Sequence, residues 1–257
     1  MMDLMSLIGS FLGVCAVVGG QILEGGHLHQ IMQGTAALIV LGGTFGAMLV
    51  SFPPQDIKKA FSLIPLIYKN VDLNLNPLIE EIIQIANLAR KEGVLAIEGQ
   101  RERIKNPLFK KSIKYLIDGF DANTVKEILE TEISLEFEEE EQAGKVFEGA
   151  GGYAPTIGII GAVLGLIHVM SMLDQPDQIG GGIAVAFVAT VYGVAVSNLI
   201  LIPWGTKLKR KAAQRMIPKE VVKIGILGIQ EGLNPHFLKE KLEAFMEQAH
   251  RKDQGKS

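Results

Sequence analysis

Lysine and arginine are missing from residues 1–54 and again from residues 151–204. All 25 of them fall within 55–150 or after 204. The totals alone exclude little, because 48% apolar residues and a net charge of −3 also suit a soluble protein. The distribution excludes more. Each stretch without basic residues holds two long apolar runs, and charge segregated in this way follows the positive-inside rule of membrane proteins. Cysteine is nearly absent: Cys15 stands alone, so no internal disulfide can form and a free, buried thiol within a helix is expected. No G-x-S-x-G, P-loop or H-E-x-x-H occurs, so nothing in the chain supports catalysis, and an enzyme is not expected. No nucleic-acid module is present, and the basic residues after 204 read as a membrane anchor.

The apolar runs cover residues 4–20, 31–52, 153–173 and 183–204. At about 1.5 Å per helical residue each is long enough to cross a hydrocarbon core of about 30 Å, the first only just. Residues 4–20 have no basic segment before them and Glu24 after them, which favours a retained helix over a cleaved signal peptide. The connections 21–30 and 174–182 carry acids and no Lys or Arg, so they should face outward. Residues 55–150, the tail after 204 and the short N-terminus should face the cytoplasm. Lys207, Lys209, Arg210 and Lys211 would anchor the last span, with Trp204 at headgroup depth. The expected fold is an all-α membrane protein with four transmembrane helices, a helical cytoplasmic region and a helical C-terminal tail. The expected division is 1–52, 53–150, 151–204 and 205–257.

Between the second and third runs, Pro53-Pro54 ends a helix. Asn76 as N-cap and Pro77 at the first helical position start another, with Leu78, Ile82, Ile85, Ala86 and Ala89 on one face. Gly93 interrupts it and the pattern resumes to about Ile104. A helix over 108–118 follows Asn106-Pro107. A third starts at Ala122 with Asp121 as cap and Val125, Ile128 and Leu129 inward. It runs through Glu136, Glu138, Glu139, Glu140 and Glu141 toward the membrane, as one solvated face or as an acidic partner-binding stripe. Helices over 221–231 and 235–248, joined by Gly232-Leu233-Asn234, complete the tail, with fraying expected over 251–257.

Ionisable side chains are the last absence that matters. None of the four runs contains Asp, Glu, Lys or Arg. A proton or sodium pathway normally uses an intramembrane carboxylate, because so costly a group persists there only for function. Asp3, Glu24, Asp174 and Asp177 stand only at run ends. Either the chain moves no ion, or a partner helix supplies the acid. What the runs do contain is glycine at close-packing intervals (Gly9 and Gly13; Gly42, Gly43 and Gly46; Gly158, Gly161 and Gly165) and a few polar groups. Thr156, His168, Ser171, Thr190, Ser197 and Asn198 lie in the last two runs. His168 is a packing residue or part of a relay. Thr190 bonds back to a carbonyl one turn earlier or faces a hydrated path. Pro155 and Pro203 bracket these runs at their inner ends as helix boundaries or hinges. His27 and His29 form an H-x-H without further ligands, so no metal is expected.

These residues together resemble the MotA-type flagellar stator subunits of the MotA/TolQ/ExbB proton channel family, with the closest likeness to the paralogue usually called MotC. The likeness rests on Leu23-Glu24-Gly25-Gly26 and on Ala37 to Thr44. Further along it rests on Ala89-Arg90-Lys91-Glu92-Gly93 with Leu95 and Glu98, and on Asp118-Gly119. It continues in Ala154-Pro155-Thr156-x-Gly158-x-x-Gly161-Ala162-Val163-x-Gly165-Leu166, in Ala186 to Gly193, and in Gly232-Leu233-Asn234-Pro235. The resemblance implies five such subunits around two copies of a MotB-like partner, whose single transmembrane helix carries the essential Asp. It implies that Pro155, Thr156, Ala162, Thr190 and Pro203 lie along the ion path, and that Arg90, Lys91 and Glu98 press on the rotor protein FliG. It implies no cofactor and no metal. Sodium-driven members resemble the chain but carry an Asp where it has Gln33 and a Thr where it has Ala162. Both changes remove oxygen ligands suited to a hard cation, so protons are expected. The related TolQ and ExbB proteins have three spans, with one before the cytoplasmic region.

Overall fold

The computed structural model describes residues 2–172, 174 and 176–253. Among these residues the chain is helical, with one isolated β-bridge between Met2 and Lys69 and no strand. Among the described residues, four helices are long and apolar enough to cross a membrane. The chain divides into two compact units, Met1–Asn70 with Glu139–Lys211, and Val71–Glu138 with Ala212–Ser257.

The first unit begins with helix α1 (Leu4–Leu23), three residues longer than its expected end at residue 20. Asp3 caps it, its Oδ1 accepting from the Ser6 N–H at 3.1 Å. No residue of α1 is buried: Cys15 is an exposed free thiol, not the buried one expected, and Phe11 is 72% exposed. A helix this apolar with no buried face needs lipid or another chain around it. The second apolar segment consists of α2 (Gly34–Ala37), a π-helical turn over Leu38–Gly42 and α3 (Gly43–Ser51). Phe52 is extended, and Pro53-Pro54 stops the helix as the sequence predicts.

Helix α4 (Pro54–Ile67) has no counterpart in the sequence-based expectation. Pro54 starts it, and it buries Ile57, Ala60 and Ile67 against Met48, Val146, Phe147 and Leu208. Each fully buried Ile or Leu contributes about 1.5–3 kcal/mol.

Helix α7 (Ala122–Met170) is continuous over 49 residues. Pro155 lies inside it, which corrects the boundary reading, and the helix ends at Met170; Leu173, the expected end, lies outside the described residues. Helix α8 (Pro176–Val196) starts seven residues before the expected 183, inside the connection expected over 174–182. A π-helical turn over Ser197–Leu201 joins it to α9 (Ile202–Gln230), so Pro203 does not end a helix either. A π turn absorbs local mismatch in the hydrogen-bond ladder, here directly ahead of a residue that lacks an N–H.

Glycine permits the contact between α7 and α8. A Cβ on Gly193 would lie 2.5 Å from the Ala154 carbonyl oxygen, and one on Gly158 would lie 2.8 Å from that of Ala189. The helices therefore meet backbone to backbone.

The second unit contains α5 (Asn76–Glu92), a 3₁₀ segment over Val94–Arg103, α6 (Pro107–Ile117) and α10 (Pro235–Asp253), with the early part of α7 and the late part of α9. Its core is mostly aliphatic: Ile82, Ile85, Ile97, Ile113, Leu129, Ile226, Leu238 and Leu242 are buried together with Phe109. Asn106 caps α6 by accepting from the Phe109 N–H at 3.0 Å. Asp121 caps α7, accepting from the N–H groups of Asn123 and Thr124, both at 3.0 Å. A hydrogen bond from the Thr124 hydroxyl, aided by these N–H groups, lowers the Asp121 pKa. Asn76 is not the cap of α5 but its first residue; Leu75 takes that position, and the Asn74 side chain accepts from the Asn76 N–H at 3.4 Å. Gly93, at φ +90, ends α5 where a Cβ would be strained. Helix α10 outlasts its expected end at 248 and reaches Asp253; residues 254–257 lie outside the described residues.

Candidate functional site

The residues singled out from the sequence form two groups, one in each unit. In the first unit they follow the α7–α8 pair. Thr156 is exposed and its hydroxyl donates to the Tyr153 carbonyl at 2.8 Å. Thr190, half-buried, donates to the Ala186 carbonyl at 3.4 Å, the local back-bond expected of a helical threonine. Ala162 and Pro155 are half-buried, and Pro203 is exposed. His168 and Ser171 lie on the exposed surface at the end of α7, with the Ser171 hydroxyl donating to the His168 carbonyl at 2.7 Å.

Several contacts here escaped sequence reasoning. Pro155 cannot donate to the carbonyl four residues back, which belongs to Gly151. The buried Ser197 hydroxyl takes its place, donating to that carbonyl at 2.6 Å. Tyr192 donates to the Ile31 carbonyl at 2.5 Å and accepts from the Gln33 N–H at 3.3 Å, tying α8 to the start of the second apolar segment. Tyr192 was visible only as part of a motif, with no role attached. Thr44 Oγ1 in α3 is buried and has no hydrogen-bond partner.

A polar knot lies near the start of α1. The Lys211 ammonium, 3% exposed, donates to the carbonyls of Leu66, Ile67 and Lys69 at 3.0, 2.8 and 2.5 Å. It also pairs with Asp3 at 3.0 Å, and Lys207 pairs with the same carboxylate oxygen at 2.8 Å. Burial alone would raise the Asp3 pKa, but hydrogen bonds from Lys207, Lys211 and the Ser6 N–H outweigh it and hold the group far below the carboxylate range. Burial lowers the Lys211 pKa against the pull of Asp3.

In the second unit, Arg90 and Lys91 stand in the last turn of α5, and Glu98 stands on the 3₁₀ segment. All three are exposed, and none joins an ion pair among the described residues. Nearby charges do pair: Lys110 with Glu102 at 2.6 Å, Lys111 with Glu132 at 2.8 Å, and Lys219 with Glu136. The acidic run is thus not one solvated face, since Glu136 and Glu139 hold lysine partners and Glu140 is buried. No group of three or more His, Cys, Asp or Glu side chains able to hold a metal occurs among the described residues; His27 and His29 stack on each other at 5.6 Å.

Glycine-packed helices whose apolar runs hold no carboxylate, together with a set of unpaired surface charges, invite comparison with known channels. Residues 100–221 match the MotA/TolQ/ExbB proton channel family, and residues 7–93 match the motility protein A N-terminal family. The chain is 36% identical to motility protein A of Bacillus subtilis (strain 168) over 247 residues, covering 95% of this chain and 91% of that one. The chain belongs to the MotA/TolQ/ExbB proton channel family. Among solved structures it is similar to C. jejuni MotAB, with a TM-score of 0.87, 32% identity and coverage of 95% of this chain and 96% of that one. It is also similar to the flagellar MotAB stator complex from Bacillus subtilis, with a TM-score of 0.83, 33% identity and coverage of 94% and 95%. As a member of this family with four apolar helices, it is a multi-pass membrane protein.

Proposed function

We propose that this chain is a stator subunit of the bacterial flagellar motor. With a MotB-like partner it forms a proton channel and turns ion flow into torque on the rotor protein FliG. The observation that carries the reading is the absence of any Asp or Glu from the apolar runs of a chain belonging to a proton channel family. The ion-binding acid must then come from a second polypeptide. Five copies around a partner dimer would give α1, which has no buried residue, a neighbouring chain or lipid to pack against.

Residues 1–52 and 151–204 lie in the bacterial inner membrane, and residues 53–150 and 205–257 lie in the cytoplasm with both termini. Pro155, Thr156, Ala162, Thr190 and Pro203 line the ion path, and Arg90, Lys91 and Glu98 face FliG. The role is transport coupled to mechanical work rather than catalysis. Gln33 and Ala162 offer no carboxylate or hydroxyl to a sodium ion, which favours protons. Each charge crossing the membrane supplies about 2.3 kcal/mol per 100 mV.

Reconstitution in liposomes tests this. The purified chain alone should pass no proton current. Co-reconstitution with the MotB-like partner should produce one that is indifferent to replacement of sodium by potassium. Sustained current from the chain alone would overturn the reading.

A further inference from the structure

The Gly232-Leu233-Asn234-Pro235 motif builds a tight corner. Gly232, at φ +68, ends α9, and its N–H donates to the Ile229 carbonyl at 3.1 Å. The Leu233 N–H donates to the Gly228 carbonyl at 3.0 Å. This pair of bonds is a Schellman stop, with the next residue, Leu233, packed on the core. Asn234 then caps α10 by accepting from the His236 N–H at 2.9 Å, and Pro235 is the first helical residue. Stop, anchor, cap and start occupy four consecutive positions. Leu238 and Leu242 dock α10 into the aliphatic core beside Ile82 and Ile85 of α5.

The corner sets the first turns of α10 opposite the last turns of α5. Between them lies a cleft of about 580 Å³. Arg90, Lys91 and Asn87 line it from α5, and His236, Lys239 and Asn234 line it from the tail; no carboxylate is among its lining residues. Arg90 and Lys91 have no ion-pair partner among the described residues. Lys239 meets Glu243 at 3.7 Å and His236 meets Glu240 at 3.4 Å, both one turn along α10 and both exposed. Exposed pairs of this kind are worth only a few tenths of a kcal/mol and yield readily to a better partner. The N-terminus of α10 adds its N–H dipoles to the same side.

Resting on the rotor-contact reading, we infer that the tail helix is the second wall of that contact, and that the cleft takes an acidic segment of FliG. Lys239 and His236 share its carboxylates with Arg90 and Lys91. The cleft is too large for a lone ion and has room for two or three side chains. Its fixed cations would speed encounter with an acidic partner as well as hold it. The corner thereby keeps Lys239 within reach of whatever Arg90 binds.

The test uses the complete stator complex. Binding of purified FliG and stall torque in tethered cells are measured for Arg90→Glu, Lys239→Glu and the double variant. Lys241→Glu serves as a control, since that residue is exposed on the same helix and does not line the cleft. Lys239→Glu should weaken FliG binding about tenfold and lower torque, with proton conductance unchanged. The double variant should lose less than the product of the single losses, because the two residues share a partner. Lys241→Glu should match the parent, and Lys239→Arg should retain binding. If Lys239→Glu reduces the amount of complex in the membrane, Lys239→Gln removes the charge without adding a carboxylate and should show a smaller binding defect at full abundance. Torque and binding lost with Arg90→Glu but intact with both Lys239→Glu and Lys239→Gln would remove the tail from the contact and leave the rotor reading standing. Full torque and binding in all the variants, Arg90→Glu included, would overturn both.

Discussion

The two units hold themselves together by opposite means. In the first, helices approach through glycine until one backbone touches the next, and no charged side chain enters the apolar runs. A buried charge cluster lies around Asp3 and Lys211, and partly exposed pairs such as Lys59–Glu139 and Lys209–Glu148 lie elsewhere in it. In the second, aliphatic side chains fill the core, and the charges spread over the surface in exposed pairs. The contrast arises from solvent. Lipid tails are as apolar as leucine, so side-chain burial gives membrane helices little drive to associate, and close backbone packing takes over. In water the same burial is the main drive, and the surface can carry charge at little cost.

The sharpest way to test this contrast is to break one charge pair in each unit. Asp3→Asn leaves the buried Lys211 ammonium without its counter-charge, although three carbonyls still receive it. Removing one partner of a buried pair costs about 3 kcal/mol. Glu132→Gln, which breaks the exposed pair with Lys111, should cost less than about 1 kcal/mol. Thermal unfolding in detergent reads both. The pH dependence adds a sign. The Asp3 pKa is lowered in the folded protein, so its contribution is fully present above the unfolded value of about 3.9 and is lost as the pH falls through the folded value. Between neutral pH and that window Asp3→Asn should therefore shift stability by a constant amount. Equal losses from the two substitutions would contradict the contrast.

Glycine offers a second comparison, with a smaller expected effect. A Cβ on Gly193 would meet the Ala154 carbonyl oxygen at 2.5 Å, whereas one on Gly225 in the second unit would meet Ile82 Cγ2 at 2.7 Å. A side chain can change rotamer, but two helix backbones in contact must separate. Gly193→Ala should therefore cost about 1–3 kcal/mol and lower the amount of assembled protein in membranes, with Gly225→Ala at the lower end of that range. Blue-native electrophoresis and unfolding temperature would show it. A Gly225→Ala loss larger than that of Gly193→Ala would mean that backbone approach does not govern the first unit.

Sequence reasoning succeeded where one physical rule dominates and failed where distant residues cooperate. Lys and Arg are excluded from the apolar runs whatever the tertiary structure, so the four spans were legible. Asp121 caps α7 by local geometry, so that start was legible too, and α6 starts at Pro107, one residue before the expected 108. Helix α4 carries Ile57, Ala60 and Ile67 on one buried face, but Pro65 broke the pattern and hid it. The π turns leave no sequence signature. At the candidate site, the residues were singled out through family likeness. The placement of Lys239 beside Arg90 was not legible, because nearly 150 residues separate them and only the folded core brings them together.

Pro155 shows most clearly why a local rule can mislead. Proline should end or kink a helix, yet α7 runs through it. The released Gly151 carbonyl does not stay unpaired, because Ser197 on the neighbouring segment donates to it at 2.6 Å. Ser197→Ala should leave a buried acceptor unsatisfied and cost about 1–3 kcal/mol. Pro155→Ala restores an N–H that can reach the same carbonyl within the helix. In that background the serine hydroxyl becomes redundant, so Ser197→Ala should cost well under about 1 kcal/mol more. A double-mutant cycle on unfolding temperature measures the difference. Strictly additive losses would mean that the serine bond does not replace the missing helical one. Strong coupling would establish that the first unit keeps a proline in its long helix by borrowing a donor from the segment packed against it. The second unit needs no such repair at the start of α5 or α6, where Pro77 and Pro107 lie in the first turn and their missing N–H groups would go unpaired in any case.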